Sequence, residues 1–193
     1  VNAISLDQLE EYSFQDEYQP IVYSQSYDLY AISRNSFLTY YNNALYIGYF
    51  TENTASVLEE YAIAEDGTLI TESNQDTLLL SEAPIALPSD IRIIAQRAQG
   101  VAFYKDMILL SHSYGPLPSS LQVFSNRSSI QKLLEEDSAL QKIRFPEKLE
   151  QIYVDGDDLY VLFESAAYGY RASSLMKVDR ILKLDLTLLL EQQ

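Results

Sequence analysis

The sequence predicts an all-β fold built from repeated antiparallel units, and three observations carry that prediction. Short apolar runs alternate with period two along most of the chain. Polar turns join these runs in pairs. The pairs recur: three hairpin-like segments align on Leu45, Met107 and Leu159, spaced by 62 residues (45 to 107) and 52 residues (107 to 159).

Each element follows from local chemistry. Residues 5–14, "SLDQLEEYSF", allow a short helix, and 19–33 contain a strand. "FLTYYNNALYIGYF" (37–50) is strand, Asn-Asn turn, strand, because Asn tolerates the positive φ that tight hairpins need. "VLEEYAIAEDGTLI" (57–70) places an Asp-Gly turn between two strands, and "GVAFYKDMILLSHS" (100–113) repeats the pattern. "SLQVFS" (120–125) adds a strand, and "IYVDGDDLYVLFES" (152–165) is another hairpin. "RILKLDLTLLL" (180–190) alternates leucines with Lys183, Asp185 and Thr187 and is expected to be extended. One helix is expected at 128–143, where Ile130, Leu133, Leu134, Leu140 and Ile143 share a face, Ser128 and Gln131 form a capping box, and Pro146 follows.

Small antiparallel sheets cannot bury both faces alone, and stacking them around an axis does so while leaving only short edges. The expected architecture is therefore propeller-like, a single domain over 1–193. Its repeats run over about 31–90, 91–143 and 144–193, with 1–30 irregular, helical or supplying an extra strand. Three blades are fewer than a closed propeller uses. Part of a longer propeller, or a ring closed by a second copy, is expected, since an open arc exposes apolar faces and pairable edges. The alternative is a β-sandwich of about ten strands. The segments Gln99 to Phe103, Ile108 to Gly115, Glu150 to Arg171 and Asp179 to Leu186 resemble blade motifs of bacterial, often exported β-propeller proteins to which no reaction is assigned. That resemblance implies a propeller fold and an extracellular or cell-surface location. A cytoplasmic location is the alternative.

Composition narrows the function classes. Net charge is −15, with 15 acids against Arg34 alone in residues 1–90, and 13 acids against 12 bases in 91–193. Such a field repels phosphate backbones and anionic membrane surfaces, and no apolar run approaches the length needed to cross a bilayer, so neither nucleic acid nor membrane insertion is expected. The chain has no Cys, which excludes disulfides, thiolate metal sites and cysteine nucleophiles. Sixteen Tyr and no Trp suit half-exposed strands whose hydroxyls reach water.

The candidate site residues lie at strand ends. The repeat alignment makes His112 and Glu164 equivalent, each followed by a serine, Ser113 and Ser165. His112 would serve as a base, with Glu164 as its partner or as an acid, and Glu150 is a further candidate at a channel mouth. Ser113, Tyr114, Glu164, Ser165, Tyr170 and Arg171 form a polar rim suited to a ligand, or an ion-paired brace in which Arg171 or Arg180 meets Glu164 or Asp179. Asn35, Gln99 and Glu150 begin the first strand of each unit, where a channel would run. Their oxygens would suit Ca²⁺ or Mg²⁺, although the expected state is without a cofactor or metal. "DGDD" (155–158) lacks the later ligands of a calcium loop and is read as a hairpin turn. No phosphate loop, dinucleotide fingerprint or nucleophile elbow is present. The leading expectation is a non-catalytic binding or scaffold module that uses a rim for a protein or carbohydrate partner. The competing one is a hydrolase or lyase with a metal or acid/base site at a channel mouth.

Overall fold

The computed structural model describes residues 1–11, 22–29, 35–71, 84–126 and 138–191. The protein is mostly β, arranged in several small sheets, none of which closes on itself. The first sheet takes β4 (Asn35–Tyr41), β5 (Ala44–Tyr49), β6 (Ser56–Ala62) and β8 (Asp90–Ile94) in that order. The second takes β9 (Ala98–Tyr104), β10 (Met107–His112), β11 (Ser119–Ser125) and β12 (Gln141–Phe145). The third takes β13 (Leu149–Asp155), β14 (Asp158–Phe163) and β15 (Leu182–Asp185), followed by helix α2 (Leu186–Glu191). All pairings in these three sheets are antiparallel. Toward the N-terminus lie β1 (Asn2–Ala3), helix α1 (Leu6–Glu11), β2 (Gln25–Ser26) and β3 (Asp28–Leu29). The last of these pairs in parallel with β7 (Ile85–Ala86).

The hairpins form where the turn chemistry allows. Asn42 and Asn43 take φ of 47° and 59°, as the β4–β5 turn requires. Gly156, at φ 59°, turns β13 into β14, so "DGDD" is a hairpin tip, with Asp155 opposite Asp158. Asp157 on that tip accepts a 2.5 Å hydrogen bond from Tyr104 Oη.

Alternation along each strand then decides what each face meets. In β9, Val101 and Phe103 join Phe37, Tyr46 and Leu58 of the first sheet in one core. Ala102 and Tyr104, on the other face, join Leu149, Ile152, Leu159 and Val161 of the third sheet in a second core. The middle sheet is thus covered on both sides, so three sheets are stacked where a sandwich has two. Phe103 stacks on Tyr41 with centroids 4.5 Å apart and touches Tyr46 at 4.4 Å. Tyr27, Leu29, Leu69 and Ala86 cover Ile47 and Tyr61 on the far face of the first sheet. Beneath them the buried Glu59 carboxylate accepts from Tyr49 Oη at 2.6 Å and Tyr61 Oη at 2.7 Å. At the other end of the stack, Tyr153 and Leu162 of the third sheet are exposed.

The three first hairpins are built alike. Each has a register shift near the start of its first strand: between Asn35 and Phe37, opposite the Ser111/His112 step, and between Leu149 and Ile152. Each shift inserts one extra residue, a β-bulge: Ser36 and Gln99 in the first two, and in the third one of Glu150 and Gln151, where alignment on the hairpin turn makes Glu150 the equivalent of Gln99. The starting strands crowd together, with β9 packed between β4 and β13. A Cβ on Gly100 would stand 2.9 Å from Ser111 Oγ and 3.1 Å from the Glu150 carbonyl, so only glycine allows this approach. Gln151 Nε2 reaches from β13 to donate to Leu38 O of β4 at 3.2 Å.

Several expectations change. The hairpin registers superpose Leu45 on Ile108 and Leu159, not on Met107, so the unit spacings are 63 (45 to 108) and 51 (108 to 159). The helix expected at 128–143 falls largely outside the described residues, and its last part is strand: Gln141–Phe145 pairs with β11. There Ile143 lies opposite Leu121, a contact that an extended segment makes and a helix would forfeit. The strand expected through 180–190 stops at Asp185. Asp185 Oδ1 accepts from the Leu188 N–H at 3.1 Å, a helix-capping bond, and α2 turns Leu186 into the second core. After the Asp-Gly turn at 66–67, the described residues form isolated bridges, Ile63 to Leu69 and Thr71 to Ala86, where a full strand was expected.

Candidate functional site

A recess of about 260 Å³ opens at the rim between the second and third sheets. Gln99, Ser113, Tyr114, Glu150, Glu164 and Tyr170 line it, together with Phe50, Gly115 and Lys148. The bulges explain the convergence. An inserted residue breaks the alternation of its strand, and Gln99 and Glu150 are equivalent bulge residues on neighbouring sheets. The same equivalence pairs Ser113 with Glu164, each just past the end of its second strand.

It also pairs Arg97 with Lys148, which lie two residues before the bulges and take φ of 65° and 64°. Positive φ is uncommon for side chains of this size. Here it lets the Arg97 carbonyl accept from the Ser113 N–H at 3.1 Å and the Lys148 carbonyl accept from the Glu164 N–H at 2.9 Å. The two cations then sit over tyrosine rings, Arg97 4.4 Å from the centroid of Tyr114 and Lys148 4.3 Å from that of Tyr170. Lys148 Nζ also donates to Gly115 O at 3.4 Å, closing one wall of the recess.

The electrostatics centre on Glu150. Burial, and then the charge of Glu164, push its carboxyl up to about 7. Near neutral pH the recess therefore presents an acid that both donates and accepts, a second carboxyl, an amide and two tyrosines. That set can hydrogen-bond hydroxyl or amide groups from several sides. It can also shuttle a proton.

Other expected site residues lie elsewhere. His112 and Glu164 do not share a surface: Phe163, not Glu164, is the equivalent of His112, and a one-residue offset reverses the face. His112 is buried against the gap between the first and second sheets. Its Nδ1 lies 3.1 Å from Gln96 O and donates to it, since a carbonyl only accepts. Burial lowers its pKa to about 4, and Lys142 adds to the effect, so it is a neutral ring and a poor base near pH 7.

Asn35 lines a separate hollow beside Leu38 and Gln151, so the oxygen set Asn35, Gln99 and Glu150 does not converge on one ion. Ser165 is fully buried, and its Oγ accepts from the Val178 N–H at 2.9 Å. Arg171 Nε donates to Ala166 O at 3.1 Å, while Arg180 pairs with the adjacent Asp179 at 2.9 Å. Ser165 and Arg171 thus brace the "SAAYGYR" loop, whereas the Arg180–Asp179 pair joins exposed sequence neighbours. A residue the sequence reading did not single out, the buried Glu147, accepts from the Leu175 and Met176 N–H groups and ties the loop down. Lys148 and Arg97 also went unnoticed. Alignment on the hairpin turns would have found them, because a basic residue then recurs two positions before each polar bulge.

Among the described residues, no group of three or more His, Asp or Glu side chains could hold a metal ion, and no helix is long and apolar enough to cross a membrane. Comparison with family models and with curated proteins found no match. Among solved structures, the computationally designed Ika4 protein aligns over 83% of this chain and 96% of its own at 8% identity and a TM-score of 0.35, a likeness too low to argue from.

Proposed function

We propose that the three sheets are successive blades of a propeller-like arc, and that the protein is a non-catalytic binding module whose rim recess takes a carbohydrate or protein partner. One observation carries this reading: Gln99, Ser113, Tyr114, Glu150, Glu164 and Tyr170 come from two sheets and meet in a single recess. Tyrosine faces with clustered hydrogen-bonding groups suit sugars and polar peptide segments. The blade reading is supported by the shared bulge position, the common order of strands and the crowding of the starting strands. The exposed Tyr153 and Leu162 on the last sheet are where a further blade, from more sequence or from a second copy, would pack. An exported or surface location goes with this role.

A glycan array and a pull-down, each run with the parent and with Tyr170→Ala, test the proposal. Specific capture without turnover, lost in the variant, supports it. Capture that Tyr170→Ala leaves unchanged removes the recess from the account.

Glu150 favours a second reading. A carboxyl held at about 7 beside another carboxyl is the arrangement of a general acid, as in glycoside hydrolysis. Turnover of a chromogenic glycoside that Glu150→Gln abolishes would establish a hydrolase. Absence of turnover across a glycoside panel between pH 4 and 8 would leave the binding module.

A further inference from the structure

A larger recess, of about 570 Å³, opens on the opposite face of the second sheet, toward the first. Strand register explains its chemistry, because residues directly opposite one another share a face. His112 faces Ser120, which faces Arg144, and Gln122 faces Lys142. The apolar part of the same face, Leu110 and Phe124, is buried against the first sheet. The polar remainder forms the recess, with Arg97 at its edge. Arg97 and Arg144 line it, with the already partnered Lys142, and no described acidic residue does, in a chain whose net charge is −15. A volume of this size falls in the range of small-molecule sites, roughly 300–1,000 Å³.

Two buried polar atoms in the same recess are unsatisfied: His112 Nε2 and Gln122 Oε1. Their residues are 8% and 2% exposed. Unpartnered buried polar atoms are rare and mark a missing partner. Both are acceptors. Gln122 Oε1 is a carbonyl oxygen, and with Nδ1–H given to Gln96 O the other His112 nitrogen carries a lone pair. A complementary ligand must therefore donate at the floor and be anionic at the mouth. Sulfate and fully ionised phosphate only accept. Neutral sugars donate but carry no charge.

We propose that this recess binds a hydroxylated carboxylate of the sugar-acid class. Its carboxylate meets Arg144 at the mouth, with Arg97 at the edge, and its hydroxyls donate to His112 Nε2 and Gln122 Oε1. The site stands apart from the acidic recess, sharing only the Ser113–Tyr114 wall, so either can fail without the other.

Calorimetric titration with D-glucuronate, D-glucose and acetate tests the proposal, alongside ¹⁵N detection of the single His112 ring. D-Glucuronate should bind about tenfold or more tightly than either control, each of which lacks one half of the recognition. It should also shift the His112 Nε2 resonance. Arg144→Gln should weaken D-glucuronate about tenfold, whereas Tyr170→Ala should leave it unchanged. Absence of D-glucuronate binding, equal binding of acetate, or a still Nε2 resonance would each overturn the proposal. The three-ligand comparison and the His112 signal use the parent protein, so they decide even if Arg144→Gln is unstable.

Discussion

Replacing Gly100 by alanine tests the close approach of β9 to β13. The new methyl would sit 2.9 Å from Ser111 Oγ, 3.1 Å from Gln151 Oε1 and 3.1 Å from the Glu150 carbonyl. Two of these neighbours are side chains that can give way, but the third is backbone of the bulge in β13. Ser111 Oγ also donates to that carbonyl at 3.1 Å, and a displaced Ser111 loses the bond. Overpacking costs about 1–3 kcal/mol and a lost hydrogen bond about 1 kcal/mol. Removing a glycine returns about 0.4–1 kcal/mol through the unfolded chain. The net expectation is a loss of about 2–3 kcal/mol, or about 4–12 °C in Tm for a chain of this size. Thermal and urea unfolding followed by far-UV circular dichroism reads it. Gly169→Ala is the control, because nothing lies within 4 Å of its added methyl and its φ is not in the left-handed range. A Gly100→Ala protein as stable as Gly169→Ala would refute the close packing of β9 on β13.

Glu150→Gln should raise stability at pH 8 and leave it unchanged near pH 4. The folded-state pKa, about 7, lies above the ordinary glutamate value of 4.5, so the contribution of the protonated group is full below 4.5 and is lost as pH rises through 7. Discounted for partial solvent exposure, the gain at pH 8 is about 1–2 kcal/mol by urea midpoint, and an unchanged pH 8 midpoint would contradict the buried acid. Tyr61→Phe keeps the ring but leaves the buried Glu59 with Tyr49 as its hydroxyl partner, which should cost about 1.5–3 kcal/mol in urea unfolding. A neutral result would mean that the carboxylate is not held there. Glu147→Ala should speed hydrogen exchange at the Leu175 and Met176 amides by more than it does across β14. Equal change in both regions would deny Glu147 its role in tying the loop.

Much of the fold was legible because two periodicities write it into the chain. The Asn-Asn and Asp-Gly dipeptides marked turns, and alternation marked β4, β5, β9, β10, β11, β13 and β14. The failures have physical causes. "RILKLDLTLLL" alternates well enough to be extended, yet the Asp185 cap and the pull of Leu186 into the core end the strand early. Ile143 fits a helical face and also an edge strand opposite Leu121, and only the partner strand decides. The site was half legible. Polar residues at strand ends did converge, since Gln99, Glu150 and Glu164 all reach one recess. Register was not legible. A match on Met107 in place of Ile108 put His112 beside Glu164, and an offset of one residue separates them, His112 facing the first sheet and Glu164 the recess between the second and third. Bulges add an unpaired residue that leaves no signature in hydropathy. Arg97, Lys142 and Arg144 read as ordinary surface charge until strand pairing set them around His112 and Gln122.

The stacking of three equivalent sheets, with the second covered on both faces, underlies both recesses. Nuclear Overhauser spectroscopy tests it most directly. Phe103 ring protons should show cross-peaks to the rings of Tyr41 and Tyr46, while Gly100 Hα shows cross-peaks to the Gln151 side chain. Both sets present together are the predicted result. Either set missing would uncover one face of the second sheet and contradict the account.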